Sequence, residues 1–302
     1  MLVRTDLQRA ADAAALAATG GLAESPKETD RIARQYVRLN VSRTAAVQDR
    51  NVRVETGRWN PGERRLVVGE TPPDAVRVTV QRPETPIFFA SLFRRRGVDI
   101  EASAVATYRA RDIMLVLDYS GSMNDQNKIG ALKDAVSLFL AYLQEAGSQD
   151  RVGFAVYSTD ALLAQTLTFD LGAVESQVRG RSADGWTNIG KGMELGQEDL
   201  LTNGRSRALR MMVLMTDGLA NRPLGRDPQQ YVRDEARRAD ASRIPIVTIS
   251  FGRGADTTLM GEVADLTGGF HFHVEGSVGQ QEKQLRDVFQ KVAARRPPAL
   301  VD

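Results

Sequence analysis

Three short stretches hold the side chains best placed to do chemistry: Asp118-Tyr119-Ser120-Gly121-Ser122, Trp186-Thr187-Asn188 and Thr216-Asp217-Gly218. They offer oxygen donors only. Two carboxylates gathered in one crevice repel each other and lose hydration, so either a proton is retained at a raised pKa or a cation sits between them. The hydroxyls of Ser120, Ser122 and Thr187 favour the cation. Neutral oxygens beside carboxylates suit a hard divalent ion, Mg²⁺ first, with Mn²⁺ or Ca²⁺ as substitutes. Gly121 allows the turn that faces both serines inward.

Elements of an α/β doubly wound sheet must bring these stretches together. Ile113 to Leu117, Val152 to Tyr157, Met211 to Met215 and Ile244 to Ile249 are continuous apolar runs, as parallel strands buried on both faces require. Helical patterns lie between them. Ile129, Leu132, Val136, Phe139, Leu140 and Leu143 share one apolar face, and stretches at 189–202, 228–241, 256–266 and 278–294 also read as helices. In such a mostly parallel sheet ligands bind beyond the carboxyl ends of the strands. Asp118 and Asp217 each follow a predicted strand there, and Thr187 precedes a predicted helix.

The first 110 residues read as a smaller α+β unit. Thr5-Asp6-Leu7-Gln8 has a capping-box pattern that opens an alanine-rich helix over about 6–19, closed by a left-handed Gly20-Gly21. Ser25-Pro26-Lys27-Glu28 predicts a second start, followed by a stripe of Ile32, Ala33, Tyr36, Val37 and Leu39. Beyond Asn51 the period becomes two, through Val52 and Val54, then Val76, Val78 and Val80, then Ile100, Ala102, Ala104 and Ala106. Asn60-Pro61-Gly62 and Thr71-Pro72-Pro73 mark turns. Ile87 to Phe93 is a short apolar segment running into Arg94-Arg95-Arg96, a basic run that fits a solvated helix end or a contact with an acidic lipid or partner. The division expected is 1–110, 111–296 and a tail at 297–302.

Composition excludes several functions. The 302 residues carry 40 Lys/Arg against 38 Asp/Glu, a formal charge of +2, which disfavours binding to bulk nucleic acid. The absence of cysteine removes disulfides, thiolate metal sites and cysteine nucleophiles. No P-loop and no Gly-x-Ser-x-Gly is present, and the only histidines, His271 and His273, lie far from the three stretches in sequence. They alternate on one predicted strand and so share a face, which permits a two-histidine metal pair, although a partly exposed edge strand is the commoner reason for such a pattern. No run approaches the ~18 apolar residues of a membrane span.

The D-Y-S-G-S string at 118–122 with Thr187 and Asp217 resembles the metal-ion-dependent adhesion site (MIDAS) of von Willebrand factor type A domains, over about residues 111–295. The resemblance implies Ser120, Ser122 and Thr187 as direct metal ligands, and Asp118 and Asp217 as ligands directly or through water. A cation held mostly by neutral hydroxyls keeps much of its charge, and an open position on it favours a carboxylate from a partner protein. Adhesion without catalysis is the expected function; a scaffold stiffened by metal and a Mg²⁺-dependent hydrolase are the alternatives. Tyr119, Trp186 and the loop from Leu219 to Arg226 are candidate partner contacts, or merely cover the rim.

A second resemblance rests on R-T-D-L-Q-R-A-A-D-A-A-A-L-A-A at 4–18, with the strand-rich stretch after it: this region looks like the TadG-like proteins of tight-adherence (Flp) pilus assembly. In that family the alanine-rich segment continues from a transmembrane helix. The resemblance therefore implies an anchor upstream of Met1, outside this chain, a place on the outer side of the bacterial inner membrane, and pilus or envelope components as partners.

Overall fold

The computed structural model describes residues 2–22, 24–41, 47–85, 98–146 and 148–301. The apolar Ile87–Phe93 segment and the three arginines after it lie outside these residues. Contacts divide the chain into Met1–Arg109 together with Arg296–Asp302, and Ala110–Arg295. The larger unit is thus inserted between two strands of the smaller one. This corrects the expected tail: Pro298–Val301 is a strand, β11, paired antiparallel with Val98–Tyr108, β4. Four residues carry too little periodicity to reveal a strand that only its partner defines.

In the smaller unit, helices α1 (Leu2–Ala18) and α2 (Pro26–Asn40) are followed by β1 (Val52–Asn60), β2 (Arg65–Val68), β3 (Ala75–Thr85) and β4. The sheet order is β11-β4-β3-β1-β2, antiparallel throughout. The alternating residues Val76, Val78 and Val80 of β3 and Ala102, Ala104 and Ala106 of β4 face one core with Leu7, Ala11, Ala14, Ala15 and Ala18 of α1. The alanines therefore serve packing, since a side chain of one carbon lets helix and sheet approach closely.

Helix α2 begins as expected, with Ser25 Oγ accepting from Glu28 N at 3.1 Å and proline in the first turn, although Glu28 turns its carboxylate to Arg31. Its buried stripe is Thr29, Ala33 and Val37, while Tyr36 and Leu39 face out. Two expectations for α1 fail. Thr5 lies inside the helix, with Gln8 bonded to Asp12 and the Ser103 carbonyl rather than reaching back. Gly21 is not left-handed but ends a 3-10 turn, where a Cβ would lie 2.8 Å from Thr29 N; it is small because α2 passes there.

The larger unit runs β5 (Arg111–Asp118), α3 (Lys128–Glu145), β6 (Arg151–Tyr157), β7 (Ala161–Thr168), α4 (Leu171–Arg179), α5 (Ile189–Thr202), β8 (Leu209–Thr216), α6 (Pro228–Ala241), β9 (Ile246–Phe251), α7 (Thr257–Thr267), β10 (His271–Val274) and α8 (Val278–Ala294). Its sheet order is β10-β9-β8-β5-β6-β7, parallel except for β7. Strand β7 and helix α4 are additions to the elements legible in sequence. Ile113, Leu115 and Leu117 of central β5 face a core built with α3, α4 and α8, and Met114 and Val116 face one built with α5, α6 and α7. Gly196 lets α5 lie close: a Cβ there would meet Met114 Cγ and Val116 Cγ2 at 2.9 Å. From β5 the chain moves to β6 on one side and returns as β8 on the other, and this reversal opens a crevice beyond the carboxyl ends of β5 and β8.

Candidate metal centre

Asp118 ends β5, and its carboxylate is fully buried. One oxygen accepts from Ser120 N at 2.8 Å and the other from Thr216 Oγ1 at 2.9 Å, so β8 also orients it. Ser120 Oγ lies 3.1 Å from Ser122 Oγ, and Ser122 Oγ donates to Asp217 Oδ1 at 2.6 Å. Asp217 Oδ2 accepts from Lys128 Nζ at 2.6 Å. The structure thus links Asp118, Ser120, Ser122 and Asp217 in one chain of hydrogen bonds.

Thr187 reaches the same space from a different loop. A Cβ placed on Gly218 would lie 3.9 Å from Thr187 Oγ1 and 4.0 Å from Ser122 Oγ, so both hydroxyls border the void that this glycine leaves. The Asn221 side chain accepts from Thr187 N at 2.8 Å while Asn221 N donates to the Thr187 carbonyl at 3.0 Å, a reciprocal clamp on the residue. Gly185, at φ +82°, turns that loop where a Cβ would strike Thr159 Oγ1 at 2.4 Å, and its carbonyl accepts from Gly121 N at 3.0 Å. Each of the three loops is therefore held by another.

Burial first, and then the charge of nearby Asp217, push the Asp118 carboxyl up to about 6. Burial likewise holds the Tyr157 hydroxyl well above its usual range, with the Asp118 charge adding to it; that hydroxyl donates to the Met215 carbonyl beneath the site. Two acidic groups crowded together with hydroxyls form an all-oxygen donor set, which fits a hard divalent cation. Among the described residues no three or more His, Cys, Asp or Glu converge, so a cation here would depend on the hydroxyls for its remaining donors.

The rim differs from expectation in one respect. Tyr119 is only 2% exposed and donates its hydroxyl to the Val178 carbonyl at 2.7 Å, so it belongs to the core and offers no surface to a partner. Strand alternation explains the correction, because Tyr119 points away from the face that Asp118 and Ser120 share. Trp186 is 53% exposed, with the Arg222 guanidinium 4.2 Å above its ring. Leu219 and Leu224 are exposed on the adjoining loop. His271 and His273 form no metal pair: on edge strand β10 the His271 ring spans Thr248 Oγ1 at 2.9 Å and Ser250 Oγ at 3.0 Å, and His273 faces Glu275. Sequence reasoning missed Lys128 and assigned no role of their own to Thr216, quoted only within its stretch, or to Asn221, inside the Leu219 to Arg226 loop. Lys128 at least left a trace, as a cation in the first turn of a helix, where positive charge is disfavoured.

Residues 112–288 match the family model for the von Willebrand factor type A domain, and residues 4–106 match that described as a putative Tad-like Flp pilus-assembly family. The chain is 26% identical over 191 residues to calcium-activated chloride channel regulator 1 of Bos taurus, an alignment covering 62% of this chain and 19% of the relative. It is 29% identical over 209 residues to inter-alpha-trypsin inhibitor heavy chain H1 of Homo sapiens, covering 64% of this chain and 21% of the relative. It therefore spans about a fifth of the length of these relatives. Among solved structures, a von Willebrand factor type A protein from Catenulispora acidiphila superposes with a TM-score of 0.51 at 15% identity, covering 81% of this chain and 49% of the other. That likeness shows the fold.

Proposed function

Because the chain belongs to the von Willebrand factor type A domain family, we propose that the Asp118 cluster holds a divalent cation and serves as a protein-binding site in pilus assembly or anchoring at the bacterial cell envelope. The observation that carries this reading is the meeting of Asp118 and Asp217 with the hydroxyls of Ser120, Ser122 and Thr187 at the carboxyl edge of the sheet. Those five side chains would hold the ion, with Mg²⁺ the best match to the donor set and Mn²⁺ or Ca²⁺ as substitutes. When bound, the cation supplies a concentrated positive charge that attracts a carboxylate from a partner.

The chain's own residues prepare for this. Thr216 and the Ser120 amide fix the Asp118 carboxylate, and the Asn221 clamp fixes Thr187, so little reorganisation is needed on binding. Trp186 with Arg222 presents an aromatic and cationic surface beside the site, the composition favoured at binding hot spots. The two family matches support an interaction role over a catalytic one. The match of residues 4–106 supports pilus or envelope proteins as partners. No helix among the described residues is long and apolar enough to cross a membrane.

Calorimetric titration with Mg²⁺ and Mn²⁺ tests the reading. Wild type should bind one ion and Asp118→Ala none, with the variant still folded, because the change removes a costly buried carboxylate. Equal binding by the two proteins would sink the assignment.

A further inference from the structure

We propose that Lys128 is a built-in counter-cation of the Asp118–Asp217 cluster, weakening its hold on a divalent ion and leaving the loaded site net positive. The inference rests on the metal-site reading above. Lys128 Nζ lies 2.6 Å from Asp217 Oδ2, with the lysine side chain 13% exposed and the Asp217 side chain fully buried. The other Asp217 oxygen is taken by Ser122, so this carboxylate has both oxygens engaged by the chain itself.

The lysine is held in place by its surroundings. Gln126 at φ 53° and Asn127 at φ 57° are consecutive left-handed residues without glycine, a conformation that L side chains adopt uncommonly. They deliver Lys128 as the first residue of α3, whose first turn contains no acidic side chain to offset the positive end of the helix dipole. The local chain disfavours a lysine there, and Asp217 compensates. At the end of β9, a Cβ on Gly252 would lie 3.5 Å from Lys128 Cε, so the stem is packed and not a loose surface arm.

Charge decides the consequence. With both carboxylates ionised and Lys128 protonated the cluster carries one net negative charge, and a divalent ion turns it into one net positive charge. Without the lysine the loaded site would be neutral, the ion held more tightly and an incoming carboxylate attracted less. By linkage, an ionised ligand and the metal would then strengthen each other's binding to the wild-type site.

Mn²⁺ titrations of the whole chain test this, comparing wild type, Lys128→Met, Lys128→Arg and Asp118→Ala at low and high NaCl. The proposal expects Lys128→Met to bind Mn²⁺ about tenfold more tightly than wild type, Lys128→Arg to match wild type, and the gap to narrow as salt rises. A purely structural lysine would not produce that salt dependence. Lys128→Gln, which also removes the charge, serves as a second variant should the methionine disturb folding. If wild type binds and Asp118→Ala does not, yet the charge-removed variants bind equally or more weakly, the counter-cation is wrong and the metal site stands. Binding by neither wild type nor the charge-removed variants overturns both.

Discussion

Strand β5 carries a buried aspartate near each end, and the two ends are treated in opposite ways. At its start, Asp112 accepts from Arg151 at 2.9 and 3.0 Å and from Arg205 Nε at 2.9 Å and Arg205 N at 2.6 Å. Burial raises its pKa, but these hydrogen bonds outweigh it and hold the carboxyl below its ordinary value. Beside it the wholly buried Arg111 guanidinium meets Asp150 at 2.6 Å and donates to the carbonyls of Val292, Ala293 and Arg295. At the other end Asp118 has no arginine. It faces a second carboxylate instead, and its pKa moves up to about 6. Where the sheet is only to be closed, the chain supplies the counter-charge. At the crevice the two carboxylates face only one lysine, so the cluster is left one positive charge short.

The sharpest way to break this contrast is to remove the counter-charge at the closed end. Arg111→Ala would leave Asp150 buried and three carbonyls without a donor, and it should cost about 3–5 kcal/mol in chemical denaturation of the larger unit. A loss below about 1 kcal/mol would mean that the closed end is no better compensated than the crevice.

The two ends of β5 should also respond oppositely to pH. A carboxyl whose folded pKa lies above its unfolded value contributes stability that is fully present below the unfolded pKa of about 4 and is lost as the pH rises through the folded value. In chelator, wild type should therefore lose stability between about pH 4 and pH 6, by at most about 3 kcal/mol from Asp118. Asp118→Asn should flatten that fall while Asp112 keeps the acid limb, since a depressed carboxyl stabilises above its unfolded pKa and loses that contribution as the pH drops. Denaturation midpoints across this range decide it, and an unchanged slope in Asp118→Asn counts against the crowded-carboxylate description.

The smallest effect is expected at the rim. Trp186→Ala removes an exposed ring stacked by Arg222, so thermal stability should shift by no more than about 0.5 kcal/mol, whereas association with a captured partner should weaken. A large loss of stability would place Trp186 in the core beside Tyr119.

Much of the site was legible before any coordinates. Continuous apolar runs locate β5 and β8 because a strand buried on both faces cannot alternate, and the acidic and hydroxyl groups then fall at strand ends by position alone. Less was legible where a residue's role depends on a distant partner. Tyr119 sits inside the D-Y-S-G-S string, yet its side chain points into the core. Lys128, Thr216 and Asn221 look ordinary until Asp217, Asp118 and Thr187 lie against them. Strand β7 escaped notice because an antiparallel edge strand is only half covered and carries a weak apolar signal.

By itself, the sequence determined the two kinds of unit, the order of strands and helices in the larger one apart from β7 and α4, and the oxygen character of the cluster, since hydrophobic period and donor chemistry are local properties. Tertiary structure alone decided that Pro298–Val301 completes the sheet of the smaller unit, that Lys128 neutralises Asp217, and that one end of β5 is paired while the other is left short of positive charge. Each of these depends on residues far apart in the chain meeting within a few ångströms, where burial strips away water and makes the partner, not the residue, set the energy.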